Sequence, residues 1–462
     1  MRHVRRRAAA VAAFVALMGL SGVLATPSQA GAAGGRPSIV LILTDDQRWD
    51  TLWALPAVQR LLVARGVQFT NGYVVNPLCC PSRTSLLTGQ YSHSTGVYSN
   101  NGFSRFDDSS TLATWLSDTG YRTALMGKYL NGYSSAKAGT YIPPGWDRWI
   151  AFSRMQKAGG AYFDYQLNID GQLRDFGTAP SDYSTDVLAS KAAHFIHRTA
   201  GPLFLYFAPS APHYPRIPAP RYEDAFSDLA PWRPPGYNEA DVSDKPTWVQ
   251  ALPPLSSKTM SMIDQLRLDQ YRSLLAVDDA VGTIVQALRQ TGRLRNTIIV
   301  FTSDNGYAWG EHRWRAKIVP YEESIRVPFV VRYTPLTELS RDDAHPVLNI
   351  DIAPTFVKMA NTSAPDADGR SLLPLLSGSA TRWRRTFLIE HAGKPVPAYC
   401  GAHTRAYSYV KYSTDEEELY DLRADPYQLE NRASDPGYQS PLDRMRTRLK
   451  ALCQPPTPGV TP

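Results

Sequence analysis

Residues able to do chemistry recur at corresponding places in this sequence, each just beyond a short apolar run. Asp45 and Asp46 follow Ser38–Thr44. Lys128 follows the run from Tyr121 to Gly127, His213 comes shortly after Leu203–Phe207, and Asp304 and Asn305 follow Thr297–Ser303. Three carboxylates and an amide oxygen are hard donors, suited to Ca²⁺ or Mg²⁺ and not to zinc. Two lysine or histidine side chains beside such an ion add positive charge and a proton donor, which is the equipment for reactions of anionic esters. Any one of these clusters could be a turn or a helix cap. Several in equivalent positions read better as one site.

The apolar runs that precede them have the length and continuous apolar character of buried parallel strands, and Val327–Arg332 adds a fifth. Helical patterns lie between the strands: Ser110–Ser117, Ser184–His197, and a long amphipathic stretch, Leu266–Leu288, with Gly292 as its stop signal. Alternation of this kind predicts an α/β fold with a large, mainly parallel sheet sandwiched by helices. In such sheets the carboxyl ends of the strands share one edge, so residues far apart in sequence converge there. Residues 215–254 are rich in Pro and Trp and read either as an ordered insertion near the site or as a surface excursion. After residue 375 the pattern changes. Thr386–Glu390, Ala406–Tyr412 and Glu418–Asp421 read as strands of a smaller sheet and Asp443–Leu452 as a final helix, together a C-terminal α+β subdomain carrying an antiparallel sheet. The expected organisation is an export signal over 1–30, a catalytic domain over 37–375, a C-terminal subdomain over 376–453 and a disordered Pro-rich tail over 454–462.

The export signal is read from the basic start (Arg2, Arg5, Arg6, Arg7), the apolar run from Ala8 to Leu24 and the small residues of Ser28-Gln29-Ala30. No second apolar segment of spanning length follows, which predicts a secreted or otherwise exported protein without stable membrane insertion. The formal charge of +7 falls to about +3 once the signal's four arginines leave, which does not point to nucleic acid. Of the four cysteines, Cys79 and Cys80 are adjacent. In an exported chain the economical pairing for the others is a Cys400–Cys453 disulfide, the alternative being two buried thiols.

The run Cys79-Cys80-Pro81-Ser82-Arg83-Thr84-Ser85-Leu86-Leu87-Thr88-Gly89 resembles the signature of the type I sulfatase family. Cys79 fits the modified position and Cys80 does not, because only Cys79 has Pro at +2 and Arg at +4. Asp45-Asp46, Gly127-Lys128, Pro212-His213, Ser303-Asp304-Asn305-Gly306 and Lys317 ahead of Tyr321–Pro328 match further family motifs, so the resemblance runs from about residue 37 to 453. It implies an alkaline-phosphatase-like fold and hydrolysis of sulfate esters. It also implies that Cys79 is oxidised to formylglycine by a separate formylglycine-generating enzyme, and that Asp45, Asp46, Asp304, Asn305 and residue 79 hold Ca²⁺ or Mg²⁺. The implied mechanism is attack by a hydrated aldehyde and a covalent sulfo-enzyme, with Arg83, Lys128, His213 and Lys317 as the other catalytic residues.

One position departs from the family. Many members carry Trp-His after the lysine of the second strand, whereas Lys128 is followed here by Tyr129-Leu130-Asn131. That Gly-Lys-Tyr-Leu-Asn string resembles the N-acetylglucosamine-6-sulfatase branch, as do the doubled cysteine, Gly89–His93, Ser303–Tyr307 and Pro143–Trp146. A 6-O-sulfated amino sugar is therefore the expected substrate. An aryl sulfatase, a phosphonate or phosphodiester hydrolase of the same fold, and an inactive binder of sulfated glycans are the alternatives. His93, His312 and His391 are expected to be structural or to line the rim, and Asp278-Asp279 to be structural.

Overall fold

The computed structural model describes residues 35–156, 160–337 and 339–462, of which 36–462 form one compact unit. The stretch read as an export signal lies outside the described residues. A 10-stranded sheet runs through the unit. Its five central strands are parallel, in the order Thr297–Ser303, Ser38–Thr44, Leu203–Ala208, Arg122–Gly127, Arg148–Gln156. Phe329–Arg332, read from sequence as one more strand of this set, runs antiparallel to Thr297–Ser303, and Gly160–Ile169 closes the other flank, also antiparallel.

The Ser38–Thr44 strand shows why the sheet is central. Val40 and Ile42 pack into one apolar cluster with the helices Ser184–Arg198 and Ser257–Gln290. Ile39, Leu41 and Leu43 pack into another with Leu112–Asp118 and Ile352–Met359. Alternate side chains feed opposite faces, and both faces are covered, which is why the strand reads as a continuous apolar run rather than an alternating one. The long helix begins nine residues before its apolar pattern does. Ser256 caps it, its hydroxyl accepting from the Thr259 N–H at 3.2 Å.

The smaller sheet has four antiparallel strands, Thr386–His391, Tyr399–Thr404, Tyr407–Tyr412 and Glu417–Asp421, covered by the helix Gln439–Leu452. Cys400 and Cys453 are joined by a disulfide. The Pro-rich end, expected to be disordered, is packed instead. Thr457 and Val460 are buried, and the Thr457 hydroxyl donates to Glu390 Oε2 at 3.2 Å. Composition misled here because one hydroxyl and one valine suffice to anchor a short tail tied down at Cys453. The 215–254 segment has little regular structure but packs on the loop that precedes Lys317, with the Asn238 N–H donating to Gly310 O at 2.8 Å and His312 paired to Glu239 at 2.7 Å.

Candidate active site

Asp45 and Asp46, Lys128, His213, and Asp304 with Asn305 all lie just past the C-terminal ends of parallel strands, at one edge of the sheet. Local backbone aims them. Asp46 holds φ of +70°, a left-handed conformation that a non-glycine residue adopts only when its surroundings enforce it. Gly127, at φ +121°, touches the next strand so closely that a Cβ would lie 1.9 Å from Ala208 O. Only glycine lets the strand deliver Lys128 there. Lys317 is flanked by Ala316 and Ile318, both at positive φ.

Cys79 is the first residue of a helix, Cys79–Thr88, and is wholly buried. Its Sγ lies 2.7 Å from Lys317 Nζ and 3.7 Å from Asp45 Oδ1. Cys80 faces the apolar core beneath. One turn along the helix, Arg83 is fully buried. It donates from Nε to Asp304 Oδ2 at 2.8 Å and from Nη1 to Lys128 O at 2.9 Å. Lys128 Nζ lies 2.5 Å from Asp45 Oδ2, and Lys317 pairs with Asp46. His213 Nε2 stands 3.9 Å from Asp46 Oδ2, with a third of its side chain open to solvent. All nine predicted catalytic and metal-site residues, Cys79 serving in both sets, thus converge, Asn305 through its hydrogen bond to Asp46.

Three carboxylates face three cations in this site. Burial alone would raise the Asp45 carboxyl, but Lys128, His213 and Arg83 hold it well below the usual range. Asp46 is likewise lowered, chiefly by Lys317 against the same burial. For the unmodified thiol, burial prevails: the Cys79 pKa is pushed up to about 12 despite both lysines. A thiol held in that form is a poor nucleophile near neutral pH.

The donor set fits a hard divalent cation. Asp45, Asp46 and Asp304 bring oxygens within 4.8 Å of one another. Asn305 donates to Asp46 Oδ1 at 2.7 Å, which leaves its own Oδ1 buried without a hydrogen-bond partner. An orphaned buried acceptor in an all-oxygen cluster is what a cation would satisfy.

Other candidates are structural. Asp278 accepts from the N–H groups of Ala57 and Val58, capping the short helix Pro56–Leu61. His93 is held by Glu390 and His312 by Glu239. His391 is buried, with both ring nitrogens unpaired. Tyr129, at the family's tryptophan position, packs edge-on against Phe103, Tyr133 and Trp149, and Leu130, at the missing histidine, is buried in the same apolar cluster. Sequence reading passed over Arg216 and quoted Tyr307 only as the end of the Ser303–Tyr307 string, with no role for either; the two hydrogen-bond to each other beside His213 and Asn305. Their only signal was proximity to matched motifs.

The sulfatase family model matches residues 37–362, and that of the N-sulphoglucosamine sulphohydrolase C-terminal region matches 310–455. The chain belongs to the sulfatase family. Sulfatases are sulfuric ester hydrolases. Among curated relatives, the N-acetylglucosamine-6-sulfatase of Homo sapiens is 34% identical over 493 residues, covering 93% of this sulfatase and 88% of that one. The extracellular sulfatase SULF-1 homolog of Drosophila melanogaster is 36% identical over 391 residues, which is 80% of this chain. The chain spans 34% of that relative's length and 53% of the Caenorhabditis elegans counterpart's. A solved structure in complex with its substrate D-glucosamine-2-N,6-O-disulfate has a TM-score of 0.80 at 25% identity, covering 90% of this chain and 97% of that one. The phosphonate monoester hydrolase of Agrobacterium radiobacter shares the fold, with a TM-score of 0.74 at 21% identity over 90% of this chain and 95% of its own.

Proposed function

We propose that this sulfatase hydrolyses sulfate esters through a formylglycine formed from Cys79, with the 6-O-sulfate of N-acetylglucosamine-type sugars as its substrate. The observation that carries the reading is the setting of Cys79: a buried first helical residue with Lys317 on its sulfur and the Asp45 carboxylate next to it. The substrate assignment is supported by the human relative and by the ligand of the similar solved structure. Export is supported by the extracellular relatives, and among the described residues no helix is long and apolar enough to cross a membrane. In this reading residues 37–375 carry the catalysis and 376–453 form the supporting subdomain.

A divalent cation, Ca²⁺ or alternatively Mg²⁺, would be held by Asp45, Asp46, Asp304, Asn305 and residue 79, and would supply charge neutralisation for a sulfate oxygen. Residue 79, once oxidised by a formylglycine-generating enzyme, would supply a hydrated aldehyde whose hydroxyl is the nucleophile toward sulfur. Arg83, fixed by Asp304, keeps a permanent positive charge beside that residue. Lys128 and Lys317 stay protonated because the neighbouring carboxylates overcome the effect of burial, so both can donate to sulfate oxygens. His213 is the most open of these groups and would bind sulfate or protonate the leaving alkoxide. Enclosure lowers its pKa; an anionic ester at the site would favour its protonated form.

The test begins with the mass of the peptide spanning residue 79 in protein from its native host. A peptide lighter than the cysteine form and reactive toward a hydrazide is expected. That enzyme should hydrolyse a 6-O-sulfated glucosamine, and Cys79→Ala should lower turnover by at least about a thousandfold without loss of fold. An unmodified thiol in fully active enzyme would sink the mechanism. A substrate panel in which phosphonate esters outpace sulfate esters would sink the activity.

A further inference from the structure

Arg216 is a buried arginine without the carboxylate partner that Arg48, Arg83 and Arg384 have. Its side chain is enclosed, with 8% of the residue exposed. Its backbone N–H donates to His213 O at 3.1 Å, and its φ of +65° turns the chain back toward the site. Nη2 donates to the Tyr307 hydroxyl at 3.0 Å, Nε is buried without a partner, and no ion pair engages the guanidinium among the described residues. Asp269 is within electrostatic reach but is occupied by Gln265 at 2.8 Å. Among the described residues, three of the other four buried arginines have carboxylate partners. Arg48 has Asp50 and Glu311, Arg83 has Asp304, and Arg384 has Asp351. Arg267 also lacks an ion pair among the described residues and leaves its Nε without a partner, but it donates to Ala230 O and its guanidinium is enclosed by the rings of Trp232, Tyr271 and Trp309. A buried charge without a partner is costly, so one kept beside the candidate ester site calls for an anion.

Two tyrosines frame it. The guanidinium lies 5.2 Å from the Tyr307 ring centroid and 5.8 Å from that of Tyr214. Tyr307 follows Asp304-Asn305-Gly306 and is within electrostatic reach of Asp46 and Lys317, which ties Arg216 to the reacting end of the site. Tyr214, next to His213, is 63% exposed and offers an aromatic face to solvent.

We propose that Arg216, with Tyr214 beside it, forms a second anion subsite that recognises a further sulfamate or carboxylate group on the sulfated sugar. This rests on the sulfated-sugar reading above. The planar fork of Arg216 suits two-point contact with either group, and Tyr214 would stack on the sugar ring. The subsite would make the enzyme selective for doubly anionic ligands over a lone 6-O-sulfate.

Binding to the Cys79→Ala protein, measured by calorimetry, separates this from turnover. The probes are glucosamine 6-O-sulfate, glucosamine 2-N,6-O-disulfate, and 6-O-sulfated glucosamine linked to a uronic acid. At least one doubly anionic ligand should bind on the order of tenfold tighter than the monosulfate. Whichever one does so identifies the sulfamate or the carboxylate as the recognised group. Adding Arg216→Met should erase the preference by weakening that ligand, while Arg216→Lys, which keeps the charge and the apolar stem, should retain part of it. No preference in the parent, a preference that survives Arg216→Met, or an equal loss for all three ligands would overturn the proposal. Failure of the sulfatase reading would show separately, as absence of hydrolysis by the mature Cys79 enzyme.

Discussion

At the strand ends Asp45, Asp46 and Asp304 are buried against Lys128, Lys317 and Arg83. In the C-terminal sheet Glu418 is buried against three hydroxyls: Tyr321 at 2.8 Å, and Tyr412 and Tyr420 at 2.5 Å each. Both settings remove carboxylates from water, but the compensation differs in kind. Facing cations hold Asp45 and Asp46 ionised, below the usual carboxylate range. Around Glu418 burial wins over the hydroxyl donors and raises the pKa. The first arrangement keeps charge available for an ion and an anionic ester. The second is a satisfied polar knot that orders a small sheet. Full charge pairing, rather than burial, is what distinguishes the site.

Three perturbations sharpen or break that contrast. The largest effect on stability is expected from Asp304→Ala, which leaves Arg83 buried without its closest partner. It should cost about 3–5 kcal/mol in denaturant unfolding, and it should also abolish the stabilisation by added Ca²⁺ that is expected of the parent in thermal melts. A loss no greater than that of a surface substitution would mean that Arg83 relaxes onto Asp45, and the site would be less rigid than drawn. Next is the covalent tie of the C-terminal region. Cys400 and Cys453 are 53 residues apart, and replacing both with alanine should cost about 2–4 kcal/mol through the freed denatured chain. Hydrolysis per folded molecule should be unaffected, because no group proposed to touch the substrate lies in that segment.

The smallest effect is expected from Glu418→Gln, about 1–2 kcal/mol, with an informative pH dependence. A folded-state pKa above the ordinary 4.5 means that the native protein holds the proton longer than the unfolded chain. Glu418 therefore contributes most below pH 4.5, and that contribution falls as pH rises toward its folded pKa. The stability of the parent relative to the glutamine variant should decline over that interval in unfolding measured at several pH values. A rise instead would show that the three tyrosines act on Glu418 as the cations act on Asp45.

Much of this was legible from the residue string. The strands that deliver Asp45, Lys128, His213 and Asp304 are short apolar runs that end in polar residues, and the spacing around Cys79 singled it out over Cys80. The errors share a cause. Phe329–Arg332 was recognised as a strand but not as antiparallel, because direction depends on the partner and leaves no mark on a buried run. The Tyr399–Thr404 strand was missed because its Cys, Gly and His carry little strand preference, and only pairing with both neighbours makes it one. Residues 454–462 looked disordered by composition, yet Thr457 reaches Glu390, the strand partner of the Cys400 to which Cys453 is bonded.

The sequence by itself determined the kinds of groups present, the helices and strands that carry them, and the sheet edge where they had to meet, because periodicity and motif spacing are local properties. The tertiary structure decided which charges face one another. That Lys317 pairs with Asp46 across 271 residues, that Asn305 keeps a buried oxygen unpaired and that Arg216 lacks a carboxylate are outcomes of packing between distant segments, where burial strengthens every electrostatic contact and makes each missing partner count.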